Sequence, residues 1–190
     1  MRSSVISGRR ASRSALFDLR ALLRTLAEFS SKEKVPLFLA GAFALQAYGL
    51  SRATADLDLL SGKAFRPRVT SFFEGLGFEE HSQAPGFSAY LHPLGGRVDL
   101  IWVDEETLEK IEKEARPCQL FSEAEFRVLS PRHLAALKIF AVKNDPRRIF
   151  REWPDLLWLL KNNLVSWEEM KKIAEKYGVP AILRRLDSEL

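Results

Sequence analysis

Two acids, Asp56 and Asp58, interrupt the apolar run "ATADLDLL" two residues apart, and a third, Asp99, sits inside another apolar run, "GRVDLIWV". On a strand, residues two apart share a face, so Asp56 and Asp58 project together about 6.6 Å apart at the backbone, within reach of two metal ions separated by about 4 Å. Like charges so close repel one another and resist burial, and a chain keeps them at low cost only where cations or solvent meet them. Two readings of the pair follow: a metal platform, or a strand whose polar face is simply wet. Upstream, Gly41 and Ala42 stand where the apolar run "VPLFLA" turns into a helix. Small residues at such a turn let a phosphate approach backbone N–H groups and the positive helix end, although a tight strand-to-helix turn alone would also explain them.

Other chemistry-bearing residues form no comparable set. His81, His92 and His133 lack metal-ligand spacing, so nothing points to a zinc site, and Cys118 is the sole cysteine, so an internal disulfide is excluded. Trp102, Trp153, Trp158 and Trp167 read as packing aromatics, with base stacking as the minor alternative. Lys143, Arg147, Arg148 and Arg151 form a basic cluster that is either a solvated face or a guide for phosphates.

The elements that must position the acids are legible in the spacing of apolar residues. Leu16, Leu19, Leu22, Leu23, Leu26 and Phe29 predict an amphipathic helix over 14–32, followed by a buried strand over 35–40, a helix from Gly41 to Gly49 and a strand over 53–60. A helix ending near Gly75 precedes strands "FSAYLHP" and "GRVDLIWV", which are joined by Leu94, Gly95 and Gly96, a hairpin signal. After an acid-rich helix over 105–115 and short strands near Gln119 and Arg127, Ser130 and Pro131 open a run of helices. One of these is expected to bend or start at Pro154, another to open with a Ser166/Glu169 capping box, and the last to follow Pro180.

The fold class expected is therefore α/β (α+β): a small mixed β-sheet flanked by helices, with a C-terminal helical module. The divisions are a basic tail over 1–14, a core over 15–129 and the helical module over 130–190. Of the 190 residues 46% are hydrophobic and 28% charged, the balance of a globular protein rather than a disordered one. No apolar run reaches the roughly 18 residues of a membrane span, and nothing asks for an oxidising compartment, so a cytoplasmic location without membrane contact is expected. The net charge of +4 lies in the first 14 residues, where Arg2, Arg9, Arg10 and Arg13 meet no acid. That arm reads as a solvated terminus, a contact for RNA or DNA phosphates, or a transit peptide.

Taken together, Gly41, Arg52, Thr54, Asp56 and Asp58 in "GAFALQAYGLSRATADLDLL" resemble the signature of the DNA polymerase β nucleotidyltransferase superfamily, and the chain is similar to its AbiEii-type toxin members. The segment "LSPRHLAALKIFAVK" with "REWPDLLWLL" resembles the helical part of that family, and the likeness spans most of residues 35 to 160. The resemblance implies a nucleotidyltransferase moving an NMP from an NTP to a hydroxyl acceptor: an RNA or tRNA end, a protein or a small molecule. It implies that Asp56, Asp58 and Asp99 bind two Mg2+ ions, that Lys138 reaches the nucleotide phosphates and that Asp155 is the acid of the following helix. The nucleotide would meet Gly41, Ala42, Ser51, Arg52 and Thr54. As a toxin the protein would have a cognate antitoxin as partner; a catalytically silent fold used only for binding is the alternative. Two departures stand out. Lys138 and Asp155 are farther apart than in the usual pattern, and Ala42 replaces the serine or second glycine common after the first glycine. Losing one hydroxyl bond to a phosphate costs about 1.5 to 3 kcal/mol, which weakens binding without abolishing it.

Overall fold

The structure, a computed structural model, describes residues 17–120 and 124–187. The basic arm over 1–14 lies outside the described residues. Helix α1 (Leu19–Glu33) opens behind Asp18, whose carboxylate accepts from the N–H groups of Arg20 and Ala21, and it buries Leu22, Leu23 and Leu26. The cap sets the start at Leu19; Ser14 to Leu16, where the periodicity placed the first turn, fall outside the described residues.

The apolar run after α1 contributes a strand of only two residues, β1 (Phe38–Leu39), because Gly41 at φ +56° swings the chain into α2 (Gly41–Ala47). Helix α2 stops before Gly49, which has φ +104°. Strand β2 (Asp56–Gly62) begins three residues later than expected. Helix α3 (Arg66–Gly75) follows, and then a meander of β3 (Glu79–Ala84), β4 (Phe87–Leu91) and β5 (Arg97–Val103). The β4–β5 turn is the expected one, closed by the Gly95 N–H donating to the His92 carbonyl.

Helix α4 (Glu105–Glu114), capped by Asp104, leads to β6 (Arg116–Leu120) and β7 (Ala124–Val128). Four α-helices follow among the described residues: α5 (Pro131–Asn144), α6 (Ile149–Lys161), α7 (Trp167–Lys176) and α8 (Ala181–Asp187). Ser130 caps α5 and the Ser166/Glu169 capping box opens α7 as the sequence predicts. Pro154 does not start a helix. Helix α6 starts at Ile149 and carries Pro154 inside it, losing one backbone hydrogen bond while its apolar face stays packed through Leu156, Leu159 and Leu160.

The seven strands of the described residues form one mixed sheet in the order β3-β4-β5-β2-β1-β7-β6. Pairs β2/β5 and β1/β7 are parallel and the others antiparallel. Strand β3 was not expected: "EEHSQA" has no apolar alternation, lies almost wholly exposed and owes its extended form to pairing with β4. The core gathers Leu57, Leu59, Leu60 and Leu100 of the central strands with Leu39, Phe73, Tyr90, Leu134 and Leu156. No helix among the described residues is long and apolar enough to cross a membrane.

Candidate active site

Strand β2 splits its side chains by the period of two. Leu57 and Leu59 go to the core, fully buried, while Asp56 and Asp58 emerge on the opposite face. Strand β5 lies parallel beside it with Asp99 directly opposite Asp58 and Arg97 opposite Asp56. The parallel pairing thus puts three carboxylates and one guanidinium on a single face of two neighbouring strands.

Gly41 closes this face from the side. The Ala40 N–H donates to the Asp58 carbonyl at 2.9 Å, and a methyl group built on Gly41 would lie 1.8 Å from Asp58 Oδ2. Only a glycine leaves room for that carboxylate. Burial first, and the Asp99 charge second, raise the Asp58 pKa from 3.8 to about 6, against the lowering influence of Lys138 and Arg151.

Asp99 is already paired. Arg97 donates through Nε to Oδ1 at 2.9 Å and through Nη2 to Oδ2 at 3.1 Å, so both oxygens of the third acid are engaged by a fork. Among the described residues no group of three or more His, Cys, Asp or Glu side chains is disposed to hold a metal ion as it stands. The donor set nevertheless suits a hard divalent cation: carboxylate oxygens gathered on one face, with a guanidinium standing where a cation would.

The other wall comes from α5 and α6. Lys138, 8% exposed, donates to Glu152 Oε2 at 3.0 Å and to Asp155 Oδ2 at 2.5 Å. Arg52, in the segment leading into β2, donates to the same Asp155 oxygen at 2.6 Å, and Arg148 reaches Glu152 Oε1 at 2.6 Å. Asp155 is 2% exposed and links two cations from distant parts of the chain. Burial works against ionisation of Glu152, but Lys138 and Arg148 outweigh it and hold its pKa below the usual glutamate value.

A cavity of about 410 Å³ opens between these walls. Gly41, Ala42, Arg52, Thr54, Asp56, Asp58, Asp99 and Lys138 all line it, so eight residues singled out from the sequence meet at one place. Ser51 is exposed and is not part of the lining, and Asp155 lies behind Lys138 rather than at the surface. Of the basic cluster, Arg148 and Arg151 line the cavity, whereas Arg147 is turned onto Asp145 and Lys143 lies 5.9 Å above the Tyr177 ring.

Sequence reasoning missed Arg97 and Glu152. Each left a trace: Arg97 is two residues before Asp99 on the same strand face, and Glu152 is three residues before Asp155 on an otherwise apolar helix face. A larger cavity, about 540 Å³, lies between α1, β1 and β7 and is lined by none of the candidate site residues.

Against known proteins, the family model for the nucleotidyl transferase AbiEii toxin of type IV toxin–antitoxin systems matches residues 20–179. The chain belongs to the AbiEii family. Its nucleotidyltransferase fold recurs in solved structures, of which three illustrate the likeness. The antibiotic-resistance factor ANT(2″)-Ia is 13% identical with a TM-score of 0.54, over 89% of this chain and 88% of that one. The lincosamide antibiotic adenylyltransferase LnuA, with lincomycin bound, is 13% identical with a TM-score of 0.50, over 63% of this chain and 85% of that one. A candidate nucleotidyltransferase from Thermotoga maritima is 14% identical with a TM-score of 0.53, over 72% of this chain and 92% of that one. At such identities the likeness is one of fold. Comparison with curated proteins finds no significant match. The family resemblance read from the β2 motif, and the mixed α/β fold it implied, are those of an AbiEii nucleotidyl transferase.

Proposed function

We propose that this AbiEii-family protein transfers a nucleoside monophosphate from an NTP to a hydroxyl acceptor, releasing pyrophosphate. The observation that carries the reading is the register of β2 against β5, which sets Asp58 beside Asp99 with Asp56 on the same face and the Gly41 corner alongside. Asp56, Asp58 and Asp99 would hold two Mg2+ ions, which when bound neutralise charge on the triphosphate and acidify the attacking hydroxyl. Side chains of the chain itself do the positioning. Lys138 and Arg52, aimed by Asp155, with Arg148 and Arg151 at the same cavity, offer positive charge to phosphate oxygens. Gly41 keeps the backbone approachable, and an Asp99 oxygen takes the proton of the acceptor hydroxyl.

A cavity of about 410 Å³ is within the ordinary size of small-ligand sites and suits a nucleotide. The acceptor we favour is RNA or a tRNA end, and the setting a toxin with a cognate antitoxin, in line with the family. Incubating the protein with each labelled NTP, Mg2+ and total RNA should place label in RNA, with Asp56→Asn and Asp58→Asn silent. Label appearing in the protein would instead make a protein the acceptor. The alternative, a silent fold that only binds, draws on the Arg97 fork that already occupies Asp99. Titration calorimetry with Mg2+ and NTP separates the two: nucleotide binding that is absent, or identical in wild type and Asp58→Asn, would remove the enzymatic reading.

A further inference from the structure

Arg97 and Asp99 share one face of β5, and neighbouring β2 presents Asp56 opposite Arg97 and Asp58 opposite Asp99. Arg97 therefore faces two acids across and along the sheet, yet its fork is given whole to Asp99. The arginine side chain is 42% exposed and that of Asp99 17%, so the guanidinium lies on the solvent side of the carboxylate it covers. An ion pair this open is exchangeable, since water and competing ions reach it. Both groups line the same cavity as Lys138 and Gly41, so an anion entering there passes the guanidinium.

We propose that Arg97 is a positioning residue with two stations: on Asp99 it closes the third carboxylate to divalent cations, and it moves to an incoming triphosphate, releasing Asp99. Asp56 and Asp58 then load one ion alone, and the second ion position opens only with nucleotide. The proposal rests on the reading of the three acids as a cation site.

Mn2+ is the probe, counted by electron paramagnetic resonance on the whole chain without nucleotide. Wild type should bind one ion per chain and Arg97→Gln two, the second lost again in Arg97→Gln/Asp99→Asn. Arg97→Lys, whose single ammonium cannot span both Asp99 oxygens, should bind the second ion at least fivefold more weakly than Arg97→Gln and gives a second variant that retains the charge. In parallel, the Arg97 Nε–H resonance in nitrogen-15 NMR of wild type should stay in place with Mg2+ alone and shift when ATP is added. Two ions in wild type, one ion in Arg97→Gln, or a resonance that moves with Mg2+ alone would overturn the two-station role while leaving the cation site standing. No Mn2+ bound by any variant would end both.

Discussion

Asp58 occupies the space that a side chain on Gly41 would need: its Oδ2 lies 1.8 Å from the position of a Gly41 Cβ, and Gly41 itself has φ +56°. Gly41→Ala must displace the carboxylate and also strain the backbone, since L-residues adopt that φ at a cost of about 1 kcal/mol. A loss of roughly 2 kcal/mol in urea unfolding is expected, together with loss of divalent-ion binding. Unchanged ion affinity would show that Asp58 is not held against the corner.

The raised pKa of Asp58 makes a pH prediction. A carboxyl whose pKa rises from 3.8 to about 6 on folding binds its proton more tightly in the folded state, so stability falls as pH rises from about 4 to 6 and then levels. Asp58→Asn mimics the protonated form at every pH. The variant should match wild type at pH 4 and exceed it by up to about 3 kcal/mol above pH 6, read from paired denaturation curves in metal-free buffer. Equal stability at pH 7 would sink the idea that this acid is strained, as function-bearing groups often are.

Asp155 should behave as a structural key rather than a surface acid. Asp155→Ala removes the shared partner of Arg52 and Lys138 and leaves Lys138 with Glu152 alone. Breaking a buried pair from one side costs about 3 kcal/mol or more, so a drop of that size in thermal or urea stability is expected. Because Arg52 reaches Asp155 from the segment before β2, hydrogen exchange of that segment should quicken in the variant while α7 stays protected.

Ala42 offers a gain. It lines the cavity in the first turn of α2, at the position where the resemblance leads one to expect a serine or a second glycine. Ala42→Ser should tighten NTP binding about tenfold, one hydrogen bond to a charged oxygen, as measured by nucleotide titration in Mg2+. Weaker binding would mean that the triphosphate does not lie over that turn.

Much of this arrangement is written in local pattern. The alternation around Asp56 and Asp58, the apolar run broken by Gly41, and the hairpin at Gly95 each specify a strand, a turn or a helix from neighbours alone, and residues from both halves of the motif line one cavity. Strand β3 left no such mark, because an exposed edge strand has no buried face to pattern. Pro154 does not start a helix as it could have done, because the packed apolar face of α6 outweighs its local penalty.

By itself the sequence determined which side chains could carry charge chemistry and which short segments would hold them, since period-two and period-3.6 patterns are properties of a few consecutive residues. Only the tertiary structure decided who meets whom. The register of β2 on β5 sets Arg97 and Asp99 against the two-acid motif, and the packing of α6 on α5 encloses Lys138 between Glu152 and Asp155, 14 and 17 residues away. Those pairings depend on how whole elements dock, and docking is settled by the summed burial of the core rather than by any local signal.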